Sequence, residues 1–310
     1  MSALKAVGRR VGQAALVLFL VSLTIFLMLR VVPGNPVATM MGEHANQETV
    51  ERLTAEMGLD QPVLIQYLRY IGGALRGDFG ISYTLGKPVV ELIGAAFVNT
   101  LCLAVAASLA AWGTGLICGL LAAAKKNSIP DRLFMGFSLL GVSMPVFMVA
   151  MLLQYFFAYI LHWLPISGSA GWTSFILPAI ALGWNSAGSI SRLVRSSLLE
   201  TLEQDYIDTA RAKGRGKAGV LVRHALRNTM LPVITMMAMQ FSGMLSGAVI
   251  TETVFSINGI GRMAVQAMNG RDIPLLQGTT LLATFVVIVG NLLADCLYMV
   301  LDPRLRKEGV

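Results

Sequence analysis

The 310-residue chain is 55% hydrophobic and only 13% charged, and its mean hydropathy is +0.68. The charged share of an ordinary soluble protein is about 25%. This composition excludes a soluble globular protein, a disordered segment, a collagen-like repeat and a small disulfide scaffold, which need more charge, less apolar content or more cysteine. It leaves a polytopic, all-α membrane protein, a class that suits 31 glycines and 17 methionines, because helices in lipid associate where small residues let backbones approach.

In chain order, six apolar segments can cross the bilayer: Val11 to Val32, Thr100 to Ala124, Leu133 to Leu161, Ser174 to Ile190, Leu231 to Thr251 and Leu281 to Leu301. At about 1.5 Å per residue each reaches across about 30 Å of hydrocarbon, the fourth only just. The first follows three basic residues, as a signal peptide would. It is about twice as long as a signal core and lacks a small-residue cleavage site, so it reads as a retained anchor. Cys102, Cys118 and Cys296 all fall inside spans and read as buried small apolar side chains, not as a disulfide framework.

With the N-terminus inside, 17 of the 24 Lys and Arg fall on inner segments. The positive-inside rule therefore places both termini in the cytoplasm. The net charge of +7 is accounted for by topology, and nucleic acid is not an expected partner.

The segment 33–99, between the first two spans, reads as a small extracytoplasmic cap. Gly58 ends a helix begun near Gln47. Asp60 caps a second helix, whose Leu64, Leu68, Ile71 and Leu75 form one apolar stripe before Gly77 stops it. The expected role of the stripe is packing on the outer ends of the spans.

Enzyme motifs are missing. The stretch Gly80 to Lys87 has one residue too many between its glycines for a P-loop, and Pro88 follows the lysine. Gly259, Gly261 and Ala264 satisfy G-x-G-x-x-A but have no βαβ context, so they read as a turn. His44, His162 and His224 are scattered without a metal-binding pair. No catalytic residue, bound cofactor or metal is expected of this chain.

The inner segment 191–230 is too long for a simple connection. A helix through Tyr206, Ile207, Ala210 and Lys213 is ended by Gly214, and a second runs from about Lys217 to Asn228. Arg211, Lys213, Arg215 and Lys217 surround the turn. This helix-turn-helix reads as a docking element.

Here the residues carry a resemblance. Asp208, Thr209 and Ala210, with Gly214 four residues beyond the alanine, resemble the "EAA" loop of binding-protein-dependent ABC importer permeases. Val32-Pro33-Gly34-Asn35-Pro36, Gly58-Leu59-Asp60-Gln61-Pro62, Gly77-Asp78-Phe79-Gly80-Ile81-Ser82, His224-Ala225-Leu226-Arg227-Asn228, Thr251-Glu252-Thr253-Val254-Phe255 and Asp302-Pro303-Arg304 resemble the dipeptide, oligopeptide and nickel branch, in order and over nearly the whole chain. The match is to the B-type subunit of the permease pair. Ser256-Ile257-Asn258-Gly259 replaces the branch's usual Ser-Trp-Pro-Gly, and Asp208 stands where the general pattern has glutamate.

The resemblance implies the type I importer fold in a bacterial inner membrane. Its expected partners are a second homologous permease, two ATPase subunits holding ATP and Mg, and an extracytoplasmic solute-binding protein. The coupling residues it implies are Asp205, Tyr206, Asp208, Thr209, Ala210, Arg211, Ala212, Lys213 and Gly214. The expected cargo is a di- or oligopeptide, with a nickel chelate, glutathione or another small solute as alternatives; a proton-coupled secondary transporter is the competing class.

For the translocation path the candidates come from the residues themselves. Thr235, Met239, Ser242 and Ser246 recur on one helical face, beside a GxxxG at Gly243 and Gly247. Pro145, after Ser143 and Met144, kinks the third span. Glu252 and Asp295 are acids near span ends, expected to reach water or a basic partner.

Overall fold

A computed structural model describes residues 3–31, 37, 46–56, 58–169, 171–213, 216–221 and 225–301. Among them all regular structure is helical, apart from an isolated antiparallel bridge between Ile81 and Pro88. Contacts divide the chain into two compact units, Met1–Thr100 with Asn258–Ile288, and Leu101–Ile257 with Val289–Val310.

The first unit begins with α1 (Ala3–Val31), apolar between its basic N-terminal turns and Arg30 except at Gln13, Ser22 and Thr24. Two short helices follow, α2 (Gln47–Glu56) and α3 (Val63–Ala74). Gly58 ends α2 as expected: its φ of 64° is open to glycine, and the Leu59 N–H reaches back to the Thr54 carbonyl at 2.9 Å. Asp60 does not cap α3. Pro62 occupies the N-cap position without a side-chain cap bond, since a proline there presets φ and needs no donor. The apolar stripe is also turned the other way: Leu64, Leu68 and Leu75 are exposed, while Tyr67 is the buried residue of α3. Helix α4 (Val89–Ala124) starts in this unit. Val89 and Ile93 pack with Ala267 of α12 (Ile260–Asn269) and Leu275 of α13 (Ile273–Leu301). Glycine at 278 permits this, because a Cβ there would come within 2.6 Å of Val89. Gly259 is the N-cap of α12, so the G-x-G-x-x-A match is a helix start.

The second unit holds the rest of α4, then α5 (Ile129–Ser143), α6 (Val146–Leu153, continuing as a π-helical stretch to Ile160), α7 (Ile176–Leu202), α8 (Asp205–Ala212), α9 (Lys217–Val220), α10 (Leu226–Gly247) and α11 (Val249–Val254). Its packing depends on small residues. Added Cβ atoms would come within 2.9 Å of the Ala187 carbonyl at Gly115, and within 2.6 Å of the Ser191 carbonyl at Gly119 and the Ser138 carbonyl at Gly188. Here α7 is drawn against α4 and α5. Twelve of its residues, from Leu177 to Leu198, are buried, Ser186 and Ser191 among them.

Among the described residues, three helical stretches are long and apolar enough to cross a membrane: Gly8–Leu29, Val89–Ala124 and Ile273–Ala294. The expected third span, Leu133 to Leu161, is no single helix. It breaks into Ile129–Ser143 and Val146–Ile160, bent by 109°. Met144 is extended (φ −83°, ψ 129°) because the ring of Pro145 excludes the helical region for its predecessor. The pair makes a fourth crossing if counted as one span. The expected fourth span runs from the turn at Trp172–Phe175 into α7, and the expected fifth runs from α10 into α11.

Candidate functional site

The segment 191–230, expected from its charge to lie inside, does not begin as a loop. Helix α7 runs on to Leu202, so Arg192 and Arg195 are helical residues. The short helices α8 and α9 follow within fifteen residues of its end.

Ile207 and Ala210 of α8 are buried in a cluster with Ala123 of α4, Leu198 of α7, Val220 of α9 and Ala225. Ala210, one of the coupling residues implied by the resemblance, thus turns its small side chain into the chain's own core. The face of α8 left exposed bears Asp205, Tyr206, Asp208 and Thr209, followed by Ala212 and Lys213. The Thr209 hydroxyl donates to the Asp205 carbonyl at 3.2 Å. The Asn228 amide, at the start of α10, donates to the Tyr206 hydroxyl at 2.7 Å, holding the ring against the next long helix. The side chain of Arg211, and Gly214 and Arg215, lie outside the described residues.

Between α5 and α7 stands an ion pair that sequence reasoning missed. Arg195 on α7 donates to both oxygens of Asp131 in the first turn of α5, at 2.6 and 2.8 Å, and the Asn127 N–H donates to the same carboxylate at 2.9 Å. Asp131 is only 3% exposed. Fork-to-carboxylate geometry of this kind fixes direction as well as distance. The connection 125–128 is thereby fastened to α7, and Lys126 adds an exposed pair with Glu203 at 3.1 Å. Ser128-x-x-Asp131 is a capping-box pattern and was the available signal for Asp131; nothing in the linear sequence links it to Arg195, 64 residues away.

The candidate path residues are not brought together. Ser143 and Pro145 are exposed at the break between α5 and α6 and Met144 is half-buried. On α10 the expected stripe divides. Met239 is 64% exposed, whereas Ser242 is buried, and Gly290 of α13 sits so close that a Cβ would lie 2.9 Å from the Ser242 hydroxyl. Ser242 thus serves helix packing. A Cβ at Gly243 would meet nothing within 4 Å, so the close helix approaches occur at other glycines. Glu252 on α11 is fully buried and does not reach water. The side chains of Ser246 and Asp295 lie outside the described residues.

Two cavities flank the α5–α7 pair. One, of about 290 Å³, is walled by Thr114, Phe137, Gly141, Trp184 and Gly188. The other, of about 460 Å³, is lined by Met135, Ser189, Arg192 and Met236. None of the candidate path residues lines either one.

A helical core built on small residues, with an interrupted span and a short two-helix element beyond the end of α7, fits a polytopic membrane subunit. Residues 115–307 match the family of binding-protein-dependent transport system inner membrane components, and residues 3–104 match the N-terminal part of the membrane component of such systems. The chain belongs to this family and is a permease subunit of an ABC importer. It is 39% identical over 291 residues to the glutathione transport system permease protein GsiC of Escherichia coli K12, covering 94% of this chain and 95% of that protein. The identity to GsiC of Salmonella paratyphi A is also 39%, with the same coverage. An inward-facing structure of the MetNI methionine ABC transporter is similar in fold, with a TM-score of 0.58 and 16% identity over 68% of this chain and 97% of that one. The structure of an amino acid ABC transporter with histidines gives a TM-score of 0.55 at 15% identity, over 67% and 93% of the two chains.

Proposed function

We propose that the chain crosses a bacterial inner membrane six times with both termini in the cytoplasm, and pairs with a second permease to form the path for glutathione or a related di- or oligopeptide. Two ATPase subunits bind at α8 and α9, and a solute-binding protein delivers cargo from outside. The observation that supports this most is the form of α8. Ile207 and Ala210 root it in the core formed with α4 and α7, while Asp205, Tyr206, Asp208 and Thr209 stay outside. A helix held so can pass a push from a partner directly into two long helices. The substrate reading draws on the likeness to GsiC and on the peptide-branch phrases of the sequence.

The test is uptake of labelled glutathione and of labelled dipeptides by vesicles containing this permease, its partner permease, the ATPases and the binding protein. Uptake of either cargo should require ATP and every component. Asp208→Arg, on the exposed face of α8, should abolish it at normal membrane abundance. ATP-independent uptake driven by a proton gradient in the isolated chain would overturn the reading in favour of a secondary transporter.

A further inference from the structure

We infer that α3, in the segment between the first two spans, is an interfacial helix inserted in the outer leaflet, and that its exposed leucine stripe is a contact surface for phospholipid acyl chains. The inference rests on the proposed orientation for the choice of leaflet, but not for the insertion itself.

Depth is the first observation. Tyr67 of α3 is buried against α1, its hydroxyl 2.9 Å from the Ser22 hydroxyl and its ring 6.2 and 5.2 Å from the rings of Phe19 and Phe26. Tyr70, one turn on, stacks on Phe26 with centroids 6.3 Å apart. Ser22 lies seven residues before Leu29, the end of the apolar stretch Gly8–Leu29, and so about 10 Å below that end at about 1.5 Å per residue. Amphipathic helices lying in a bilayer interface bury their apolar faces about 5–10 Å deep. A helix fastened to α1 at Ser22 is therefore at the depth of the upper acyl chains and not on the aqueous side of the span.

The second observation is the division of α3 into faces. At about 100° per residue, Leu64, Leu68 and Leu75 fall within about 40° of one another, and they are 68%, 61% and 84% exposed. Beside them Tyr67 and Tyr70 face α1. On the far side is a polar edge: Arg69 donates to the Gln61 side chain at 3.0 Å, and the Gln66 amide donates to the Gln61 and Leu59 carbonyls at 2.6 and 3.0 Å. That edge is tied to the turn leading from the polar helix α2 and belongs at the water boundary. Three leucines left open to water would be unfavourable, because apolar surface gains by leaving water. Leu16, Leu20 and Leu27 of α1, the helix to which α3 is fastened, are exposed in the same way, and as part of a span they meet lipid.

The experiment uses the assembled transporter in phosphatidylethanolamine and phosphatidylglycerol vesicles. In a background without native cysteines, nitroxide labels are placed by Leu64→Cys, Leu68→Cys and Leu75→Cys, with Lys87→Cys as an exposed reference outside the helices. Collision with oxygen relative to a neutral nickel chelate should be several-fold higher at the three stripe positions than at position 87. Frequent nickel collisions along the stripe would put it in water and overturn the inference. Low collision with both reagents would show it covered by protein, the second permease or the binding protein, and would equally overturn it. Reduction of the position-87 label by external ascorbate reports sidedness separately. A stripe in lipid with position 87 shielded would refute the orientation while leaving insertion intact.

Discussion

At the scale of single residues the decisive features are charges held in place. Asp131 is nearly fully buried and depends on Arg195 and the Asn127 N–H. Removing one member of such a pair strands the other, a loss of about 3–5 kcal/mol. Arg195→Met should therefore lower the unfolding midpoint in detergent, and Arg195→Lys, which keeps the charge but loses the fork, should lower it less. Equal melting of both variants and the parent would refute the assignment. Asp272, buried just before α13, is a second case. Burial works against its charge, but hydrogen bonds from the Ser82 hydroxyl, the Thr84 N–H and the Thr84 hydroxyl outweigh it and hold the carboxyl below its usual value of 3.8. Because the folded pKa is the lower one, this stabilisation is complete above pH 3.8 and is lost as pH falls through the folded value. Thermal melts should show a steeper loss below pH 3.8 for the parent than for Asp272→Asn; parallel curves would refute it.

At the scale of elements, the glycines of α4 and α7 and the break at Pro145 set the geometry. A side chain at Gly188 would have to share space with the Ser138 carbonyl 2.6 Å away, and backbone cannot yield as a flexible side chain can. Gly188→Val should cost about 1–3 kcal/mol or more by overpacking, reducing membrane abundance, whereas Gly243→Ala, facing open space, should be neutral. Comparable abundance of the two variants would show that α5 and α7 are not in close contact. Pro145 acts differently. It imposes an extended residue where two helices would otherwise fuse, so the 109° bend is written into the chain and not induced by packing.

At the scale of the whole molecule the open prediction is topology. Cysteines introduced at Ser128 and Ser197 should be shielded from impermeant thiol reagents in intact cells. Ser82, within the segment 33–99 expected outside, is buried against Asp272, so Lys87→Cys is the better outer reporter and should be labelled. Labelling at position 197 from outside would overturn the orientation and, with it, ATPase docking at α8.

The sequence by itself determined the class of protein. Apolar runs, basic residues and helix stops are local quantities, and they located α1, α4, α8 and α13 and the ends of α2. The family resemblance likewise rests on short phrases that fold does not alter. Tertiary structure decided which face of each element points where. Periodicity aligned Leu64 with Leu68 and Leu75, and Thr235 with Met239 and Ser242, but a stripe does not say whether core, lipid or a path lies opposite it. Ala210 belongs to the coupling motif by sequence and to the core by packing, because Ala123 and Leu198 arrive beside it from helices far away in the chain. The pairing of Asp131 with Arg195 has the same origin. It depends on α5 and α7 meeting at Gly141 and Gly188, a contact between distant segments that no local pattern encodes.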